Sequence, residues 1–107
     1  MKYHNKKTEV EGYVFDSKHE AIRWIELRYM ERAGLITDLR RQVPYELIPA
    51  QKQNGKTVER AVKYIADFVY TMGGRTIVED AKGVRTDVYK IKKKLMRYVH
   101  GIEIKEV

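Results

Sequence analysis

Two kinds of periodicity divide the chain: in some segments apolar residues recur every three or four positions, and in others they alternate with polar residues. The helical spacing runs through SKHEAIRWIELRYMERAGL, residues 17–35, and predicts a first helix that opens at Asp16-Ser17. Gly34 is the predicted C-terminal cap, because glycine readily adopts the left-handed backbone that ends many helices.

The same spacing predicts a second helix in DVYKIKKKLMRYVH, residues 87–100. Thr86-Asp87 provides its N-terminal cap and Gly101 its end. Its apolar residues are expected to form one stripe packed against the core. That stripe consists of Val88, Ile91, Leu95 and Val99.

The remaining segments predict strands separated by turns. Asn54-Gly55 and Gly73-Gly74 are typical of two-residue hairpin loops, whose backbone favours Asn and Gly. Residues 10–15 are expected to form a short strand or simply an extended segment. The predicted extended segments are 10–15, 44–53, 57–70, 75–82 and 102–107.

In chain order the main elements are a helix, a three-stranded meander, a second helix and a final strand. This order predicts an α/β (α+β) fold in which helices flank a mixed sheet. With 107 residues the chain suits one small domain, residues 1–107, with a thin core. Residues 1–9 are expected to be a flexible basic arm.

Composition and charge narrow the functional classes. The net charge of +7 and the pI of about 9.6 indicate a polyanionic partner such as nucleic acid, although a domain can also be basic without such a role. The absence of cysteine excludes disulfides and thiolate metal sites and fits a reducing compartment. No apolar run reaches the roughly 18 residues of a membrane helix, and no signal peptide is recognisable. We therefore expect a cytoplasmic protein without a membrane partner.

Two aspartates stand on predicted strands at positions that should be apolar. Because side chains alternate along a strand, Asp67 shares a face with the β-branched residues Ile65 and Val69. On the next strand, Asp80 shares a face with Lys82. An acid between apolar neighbours calls for a specific reason, since a buried charge is costly unless it is paired.

The predicted turn brings these two acids together. If Gly73-Gly74 is the two-residue loop, Asp67 lies directly opposite Asp80, with Cβ atoms roughly 4.5–5.5 Å apart. Two carboxylates at this distance repel each other, and a divalent cation such as Mg²⁺ or Mn²⁺ would offset the repulsion. The alternative is a surface pair in which Lys82 neutralises one aspartate and nothing binds.

Glu20 is a third acid with two interpretations. Ser17-Lys18-His19-Glu20 fits the capping-box pattern Ser-x-x-Glu, which would account for this glutamate structurally. It could instead contribute from the helix to the same metal site, and helical spacing by itself favours the cap.

A helix glutamate, a strand aspartate and an Asp-x-Lys motif follow one another along the chain. They are Glu20, Asp67 in YIADF, and Asp80-Ala81-Lys82. This pattern resembles the PD-(D/E)XK nuclease superfamily over roughly residues 15–107, as does the order of elements. The chain is most similar to small phage-encoded nucleases of this group, which are similar to Holliday junction resolvases. Each motif is common by itself, whereas their order and spacing together are more specific.

Two positions depart from the superfamily pattern. Ala66 replaces the proline of the motif name, a common substitution that changes no chemistry. The acid at Asp80 is an aspartate where glutamate is more frequent, so its reach to a metal is shorter while the ligand type is kept.

The resemblance implies a restriction-endonuclease-like core and a Mg²⁺-dependent DNA endonuclease that hydrolyses phosphodiester bonds, with Mn²⁺ as a substitute. Asp67 and Asp80 would ligate the metal with the backbone carbonyl of Ala81, and Glu20 would complete the site directly or through water. Lys82 would orient or activate the attacking water and stabilise charge on the phosphate. An amine beside two carboxylates stays protonated, which favours the stabilising role.

Several cations are predicted to contact the DNA backbone, although a solvated helix face would explain those on the second helix equally well. The predicted DNA-binding residues are Arg85, Lys90, Lys93, Lys94, Arg97, Lys6 and Lys7.

The resemblance leads us to expect a structure-selective nuclease in the cytoplasm of a bacterial or phage-infected cell. Four-way junctions are the favoured substrate, and paired nicks would require a homodimer. One alternative is the same chemistry on flaps, ends or a specific site. Others are a non-catalytic basic nucleic-acid-binding module and a structural interaction protein.

Overall fold

The computed structural model describes residues 7–82 and 84–107. Within these residues the chain forms two helices and eight strands. In chain order they are β1 (Thr8–Val10), β2 (Tyr13–Phe15), α1 (Lys18–Arg32), β3 (Thr37–Ile48), β4 (Gln51–Gln53), β5 (Lys56–Glu59), β6 (Val62–Met72), β7 (Arg75–Asp80), α2 (Asp87–His100) and β8 (Lys105–Glu106). No helix in the described part of the chain has the length and apolar character needed to cross a membrane.

Four strands form the central sheet in the order β3-β6-β7-β8. The first three are an antiparallel meander, and β8 pairs with β7 in parallel after the crossover through α2. The protein is therefore mixed α+β with a mixed sheet, and the predicted order of helix, meander, helix and strand is confirmed. A hairpin of β1 and β2 precedes α1, and β4 and β5 form a two-stranded ribbon between β3 and β6.

Both predicted hairpin loops are confirmed by their backbone angles. Asn54 and Gly55 have φ angles of 52° and 76°, and Gly73 and Gly74 have φ angles of 57° and 77°. A positive φ at both central residues is typical of the type I′ turn, whose twist matches that of the flanking strands. The second of these turns sets the register of β6 against β7.

The helix ends follow the sequence closely. The side chains of Ser17 and Thr86 cap the N-termini of α1 and α2, as predicted. Gly101 ends α2 with a φ of 66°. At the end of α1 the cap is Ala33, one residue before the predicted position, and Gly34 follows it with a φ of 77°. The left-handed residue thus lies just beyond the cap, where glycine is most often found.

Several strand boundaries differ from the prediction. The first strand of the meander begins at residue 37 rather than 44, and the segment 44–53 is divided into the end of β3 and β4. The segment 10–15 contains a turn between β1 and β2, and the final strand is shorter than 102–107. The segment 57–70 is divided into β5 and β6, because Arg60 and Ala61 leave the strand conformation. The third strand of the meander ends at Asp80 rather than at residue 82.

The N-terminal segment is partly structured. Thr8 pairs with Phe15 and Glu9 with Val14 in the hairpin of β1 and β2, so the expected flexible arm over residues 1–9 is wrong for Thr8 and Glu9. Residues 1–6 of that arm lie outside the described residues.

Two apolar clusters pack on the sheet, one with each helix. The α1 cluster consists of Phe15, Ala21, Trp24, Leu27, Ile36, Phe68, Tyr70 and Ala81. The α2 cluster consists of Leu47, Tyr64, Ala66, Val69, Val78, Tyr89, Met96 and Ile104. Adjacent strand residues belong to different clusters, as Phe68 and Val69 do, so the two helices cover opposite faces of the sheet.

The alternation of side chains between the two faces of β6 is broken at the residues on either side of Asp67. The sequence places Tyr64, Ala66, Phe68 and Tyr70 on one face, but the first two belong to the α2 cluster and the last two to the α1 cluster. On the neighbouring strand, Gln42 has a φ of 52° between the rungs of the ladder that join β3 to Phe68 and Ala66. The side chains of β6 thus change face between Ala66 and Phe68, at the same level of the sheet as Gln42.

The predicted buried stripe of α2 is wrong. Three of its residues are largely exposed: Val88 at 62%, Ile91 at 58% and Val99 at 45%. Leu95 is half-buried, and the residues that α2 buries in the core are Tyr89 and Met96. These two lie on the neighbouring side of the helix and pack in the α2 cluster, so packing on the sheet turns the apolar stripe outward.

Candidate active site

Asp67 and Asp80 lie where β6 and β7 begin to separate. The ladder between the strands ends where Phe68 pairs with Glu79, in the register predicted from the Gly-Gly loop, and Asp67 and Asp80 are the next residue of each strand. Their exposed fractions are 0% and 1%. The register predicted from the Gly-Gly loop is thus confirmed, and it places two acids in the interior.

Each oxygen of the two aspartates accepts a hydrogen bond. Oδ1 of Asp67 accepts from Nζ of Lys82 at 2.9 Å, and its Oδ2 accepts from the backbone N–H of Ala81 at 2.7 Å. Oδ1 of Asp80 accepts from the backbone N–H of Lys82 at 3.0 Å, and its Oδ2 accepts from the hydroxyl of Tyr64 at 2.7 Å. These bonds offset part of the cost of burying the carboxylates and fix their orientation.

Glu20 faces the same aspartates from the first turn of α1. Its exposed fraction is 2%. Burial, followed by repulsion from Asp67, raises its pKa to about 7, while attraction from Lys82 acts in the opposite direction. The Ser17 hydroxyl accepts the backbone N–H of Glu20 at 3.1 Å. The N-terminal cap is therefore present, and the carboxylate of Glu20 also interacts electrostatically with Asp67 and Lys82.

Lys82 is held as a cation. Burial lowers its pKa, but the hydrogen bond to Asp67 and the attraction of Asp67, Asp80 and Glu20 outweigh burial, so the pKa of Lys82 is raised. Burial raises the pKa of Asp67 in spite of the bonds from Lys82 and Ala81. Lys82 donates hydrogen bonds to Asp67 through Nζ and to Asp80 through its backbone N–H, and Glu20 interacts electrostatically with Asp67 and Lys82. We call Glu20, Asp67, Asp80 and Lys82 the acidic cluster.

A clamp between α1 and β7 supports this cluster. Nε and Nη2 of Arg23 donate to the two carboxylate oxygens of Glu79 at 2.8 and 2.7 Å, and the hydroxyl of Tyr70 also donates to Glu79. Arg23 lies one turn after Glu20, and Glu79 precedes Asp80. The bidentate pair therefore fixes the position of Glu20 relative to the sheet.

Sequence reasoning missed Tyr64 and the Arg23–Glu79 clamp. Alternation placed Tyr64 on the face opposite Asp67, and only the irregularity of β6 brings its hydroxyl to Asp80. The sequence could have pointed to Glu79, because this acid lies on the buried face of β7. Its partner Arg23 could not be found in the same way, because the two residues are 56 positions apart in the chain.

A cleft of about 390 Å³ opens beside the cluster. Asp80, Lys82 and Lys92 line it together with Tyr64 and Tyr89. Its other walls are Ile65, Val84, Thr86 and Val88. We call it the active cleft.

A second cleft, of about 540 Å³, lies beside α2 and β8 and shares Tyr89 with the first. It brings together all five cations predicted on α2 and the segment before it. They are Arg85, Lys90, Lys93, Lys94 and Arg97, and we call this surface the basic cleft. Of the two predicted arm residues, Lys7 is exposed on the surface and Lys6 lies outside the described residues.

Glu106 organises part of the basic cleft. Its Oε2 accepts from the hydroxyl of Tyr89 at 2.7 Å and lies 2.9 Å from Nε of Arg85 and 3.3 Å from Nζ of Lys93. The Tyr89 bond, with those cations, lowers the pKa of Glu106 to about 2. Glu106 stands beside Asp80 in the parallel pairing of β7 with β8, a register that the sequence did not reveal.

The cluster supplies oxygen donors of the type that Mg²⁺ prefers, from Asp67, Asp80 and the carbonyl of Ala81. Each ionised carboxylate has about four acceptor sites, so the hydrogen bonds described above leave acceptor sites open. Among residues 7–82 and 84–107, however, no three or more His, Asp or Glu side chains are grouped so that they could hold a metal ion. The donor chemistry of the two aspartates fits the ion, and Glu20 does not form a three-acid ligand group with them in this structure.

Comparison with known proteins places the chain in a family. A family model described as "Protein of unknown function (DUF1064)" matches residues 1–106. The chain belongs to the DUF1064 family. Searches of curated proteins and of solved structures found no match. For this DUF1064 protein, function must therefore be argued from the acidic cluster and the two clefts.

Proposed function

We propose that this protein is a Mg²⁺-dependent DNA endonuclease that hydrolyses phosphodiester bonds, with Mn²⁺ able to replace Mg²⁺, and that it is selective for DNA structure. The observation that carries the proposal is that Asp67 and Asp80 are both buried and both accept hydrogen bonds from Lys82, whose amine is kept protonated. Apolar residues would fill these positions at a lower cost, so two interior acids and a lysine indicate chemistry rather than packing.

The metal is proposed from the donor set. Asp67, Asp80 and the Ala81 carbonyl would hold Mg²⁺, and Glu20 would complete the site directly or through a water molecule. When bound, the ion would neutralise phosphate charge and lower the pKa of water. It would also offset the repulsion between carboxylates, which adds to the effect of burial in raising the pKa of Glu20 and of Asp67.

The side chains have separate roles in this proposal. Lys82, kept protonated by its neighbours, stabilises the negative charge that builds on the phosphate. Glu20, with a pKa of about 7, is partly ionised near neutral pH and can hold a water molecule or accept its proton. In the reaction, the water oxygen would form a bond to phosphorus and give up a proton to Glu20, while the bond from phosphorus to the leaving sugar oxygen breaks and that oxygen takes a proton from solvent water.

The basic cleft supports DNA as the substrate. Its five cations lie directly beside the active cleft, with Tyr89 as a common wall. Among the described residues, Lys90 and Lys94 have no carboxylate partner and are available to phosphate groups. The arrangement suits a DNA backbone that passes from the basic cleft to Asp80.

Four-way junctions are the proposed substrate, and a restriction-endonuclease-like core is the proposed fold. The helix-meander-helix-strand order and the position of the acids support that core. Paired nicks in a junction require two active sites, so the protein would act as a homodimer.

A stripe of apolar residues on α2, exposed except for the half-buried Leu95, supports the homodimer. Its members are spaced three, four and three residues apart, as in the seams of packed helices. They are Val88, Ile91, Leu95 and Tyr98. We expect a dimer by light scattering, and we expect Ile91→Asp to make it a monomer. The same change at the exposed Val58 should leave the dimer intact, and a monomeric wild type would refute this part of the proposal.

A cleavage assay tests the proposal as a whole. The substrates are a synthetic four-way junction, a flap and a linear duplex in Mg²⁺, with Asp80→Asn as the inactive variant. Paired nicks in the junction that disappear in the variant would support the proposed substrate. Cleavage of the flap or duplex instead would keep the chemistry and reject the junction.

A non-catalytic DNA-binding module is the second candidate, and one observation favours it. Every oxygen of Asp67 and Asp80 already accepts a hydrogen bond from the protein, so the cluster is satisfied without a metal. Absence of cleavage in Mg²⁺ and Mn²⁺, with equal DNA binding by wild type and Asp80→Asn, would select this candidate.

A further inference from the structure

The ribbon of β4 and β5 extends the β3–β6 pair beyond the central sheet. The last pair of β3 with β6 is Ile48 with Val62, and the ribbon follows with Gln51 opposite Glu59. All ten residues from 51 to 60 are exposed. The ribbon forms a sheet of its own, closed by the type I′ turn at Asn54.

Core packing does not explain this ribbon. It belongs to neither apolar cluster, and its one large apolar side chain, Val58, is 52% exposed. A two-stranded hairpin is at best marginally stable in water, so ten exposed residues are costly to order without a further contact. The described chain has a radius of gyration of 15.8 Å and a longest extent of 52 Å. A compact chain of this length would have a radius of gyration of about 13 Å.

The side chains of the ribbon match a nucleic acid. The ribbon carries three cations and one acid, Glu59. The cations are Lys52, Lys56 and Arg60, and none of them forms a salt bridge with a carboxylate within the described residues. The remaining polar residues include the amides Gln51, Gln53 and Asn54. Lys and Arg bind phosphates, amides can bind base edges, and a two-stranded ribbon fits the major groove.

The ribbon is also continuous with the active cleft. Tyr64 and Ile65, which line that cleft, lie on β6, and the same strand leads through the exposed Lys63 back to the ribbon. The eleven residue steps from Lys56 to Asp67 span at most about 36 Å at about 3.3 Å per residue. That length corresponds to about ten base pairs at about 3.4 Å each.

We propose that the ribbon binds the groove of a duplex DNA arm about one helical turn from the phosphate at the active cleft. This inference rests on the proposed function, because the active cleft fixes where the DNA begins. It adds a second contact, separate from the basic cleft, that is engaged only by arms long enough to reach it.

The test compares hairpin-capped four-way junctions with arms of about 7 and about 20 base pairs, bound in EDTA. Wild type should bind the long-armed junction about tenfold or more tightly than the short-armed one. The triple variant Lys52→Gln/Lys56→Gln/Arg60→Gln should lose that difference and bind the short-armed junction like wild type. On long arms, its slope of log affinity against log salt should be smaller by about 2 to 3, at about 0.9 for each lost phosphate contact.

The matched control is Arg32→Gln/Arg40→Gln/Arg75→Gln, which removes the same charge from exposed positions outside the ribbon. It should keep the preference for long arms, and both variants should retain the wild-type melting temperature. A control that loses the preference as the ribbon variant does would attribute the effect to net charge and overturn the inference.

Two further outcomes separate this inference from the proposed function. A ribbon variant that keeps the long-arm preference overturns the role of the ribbon, while Mg²⁺-dependent cleavage of short-armed junctions would still support the nuclease. Wild type that neither binds nor cleaves any junction overturns both.

Discussion

The acidic cluster and the basic cleft are neighbours that are built in opposite ways. The acids are buried, and each oxygen of Asp67 and Asp80 has its own donor. The cations are mostly exposed, and two of them, Arg85 and Lys93, share one carboxylate, Glu106. Chemistry at a phosphate requires fixed geometry, whereas attraction of a DNA backbone requires charge and tolerates mobile side chains.

This difference implies that catalysis and binding can be separated by mutation. Substitutions in the acidic cluster should change cleavage and leave DNA affinity largely intact. Substitutions in the basic cleft should change affinity and its salt dependence and leave the rate of cleavage of bound DNA intact.

The largest effect is expected from Asp80→Asn. The change keeps the shape of the side chain but removes a proposed metal ligand and its charge. Loss of several kcal/mol of transition-state stabilisation should lower single-turnover cleavage about 1000-fold. DNA affinity in EDTA should stay the same or increase, because a negative charge is lost. The control is Asp87→Asn, the same change at an exposed aspartate, and equal cleavage by both variants would refute the role of Asp80.

The second effect concerns the basic cleft. Lys90→Gln/Lys94→Gln/Arg97→Gln should weaken DNA binding on the order of 100-fold, at about 1 kcal/mol for each lost contact. The slope of log affinity against log salt should fall by about 2 to 3. Fluorescence anisotropy across a salt series measures both quantities. A variant that binds normally but cleaves bound DNA slowly would contradict the division of roles.

Among substitutions that affect the acidic cluster, Tyr64→Phe should lower the rate of cleavage less than Asp80→Asn does. It removes the hydrogen bond at 2.7 Å to Oδ2 of Asp80 and leaves a buried oxygen without that donor. A hydrogen bond to a charged group contributes about 1.5 kcal/mol or more, so we expect about tenfold slower cleavage with unchanged affinity. Tyr45→Phe provides a matched control on β3. If the two variants cleave equally well, the Tyr64 bond does not position Asp80.

The smallest effect is a pH dependence of stability without metal. The pKa of Glu20 is raised from 4.5 to about 7 in the folded protein, so folding favours its protonated form. The stabilisation is complete below pH 4.5 and is lost as pH rises through about 7. In EDTA the melting temperature should therefore fall by a few degrees over this range, with a smaller fall in Glu20→Gln. Mg²⁺ should restore the melting temperature of the wild type at higher pH. Identical pH profiles for the wild type and Glu20→Gln would contradict the raised pKa of Glu20.

Much of the local structure could be predicted from sequence. Helix caps at Ser17 and Thr86 and the two type I′ turns follow from backbone preferences that act within a few residues. The Gly73-Gly74 turn also set the register of β6 against β7 as far as the pair of Phe68 with Glu79, because a two-residue loop determines the register of its strands.

The side of α2 that meets the sheet could not be predicted in this way. Its most regular apolar stripe was expected to be buried, yet Val88 and Ile91 are exposed and Tyr89 and Met96 pack in the core. Amphipathic spacing marks a surface that avoids water, but it does not say whether the protein's own core or another molecule covers it.

The sequence by itself determined the order of elements, the turns, the helix ends and the register of the hairpin that leads to Asp67 and Asp80. Only the tertiary structure decided that Tyr64 donates to Asp80, that Arg23 clamps Glu79 and that Glu106 stands beside Asp80. The first group depends on preferences within a hairpin or a helical turn. The second group joins pairs of residues whose separations along the chain are 16, 56 and 26 positions. Which of these side chains meet is determined by the packing of the helices on the sheet and by the irregularity of β6.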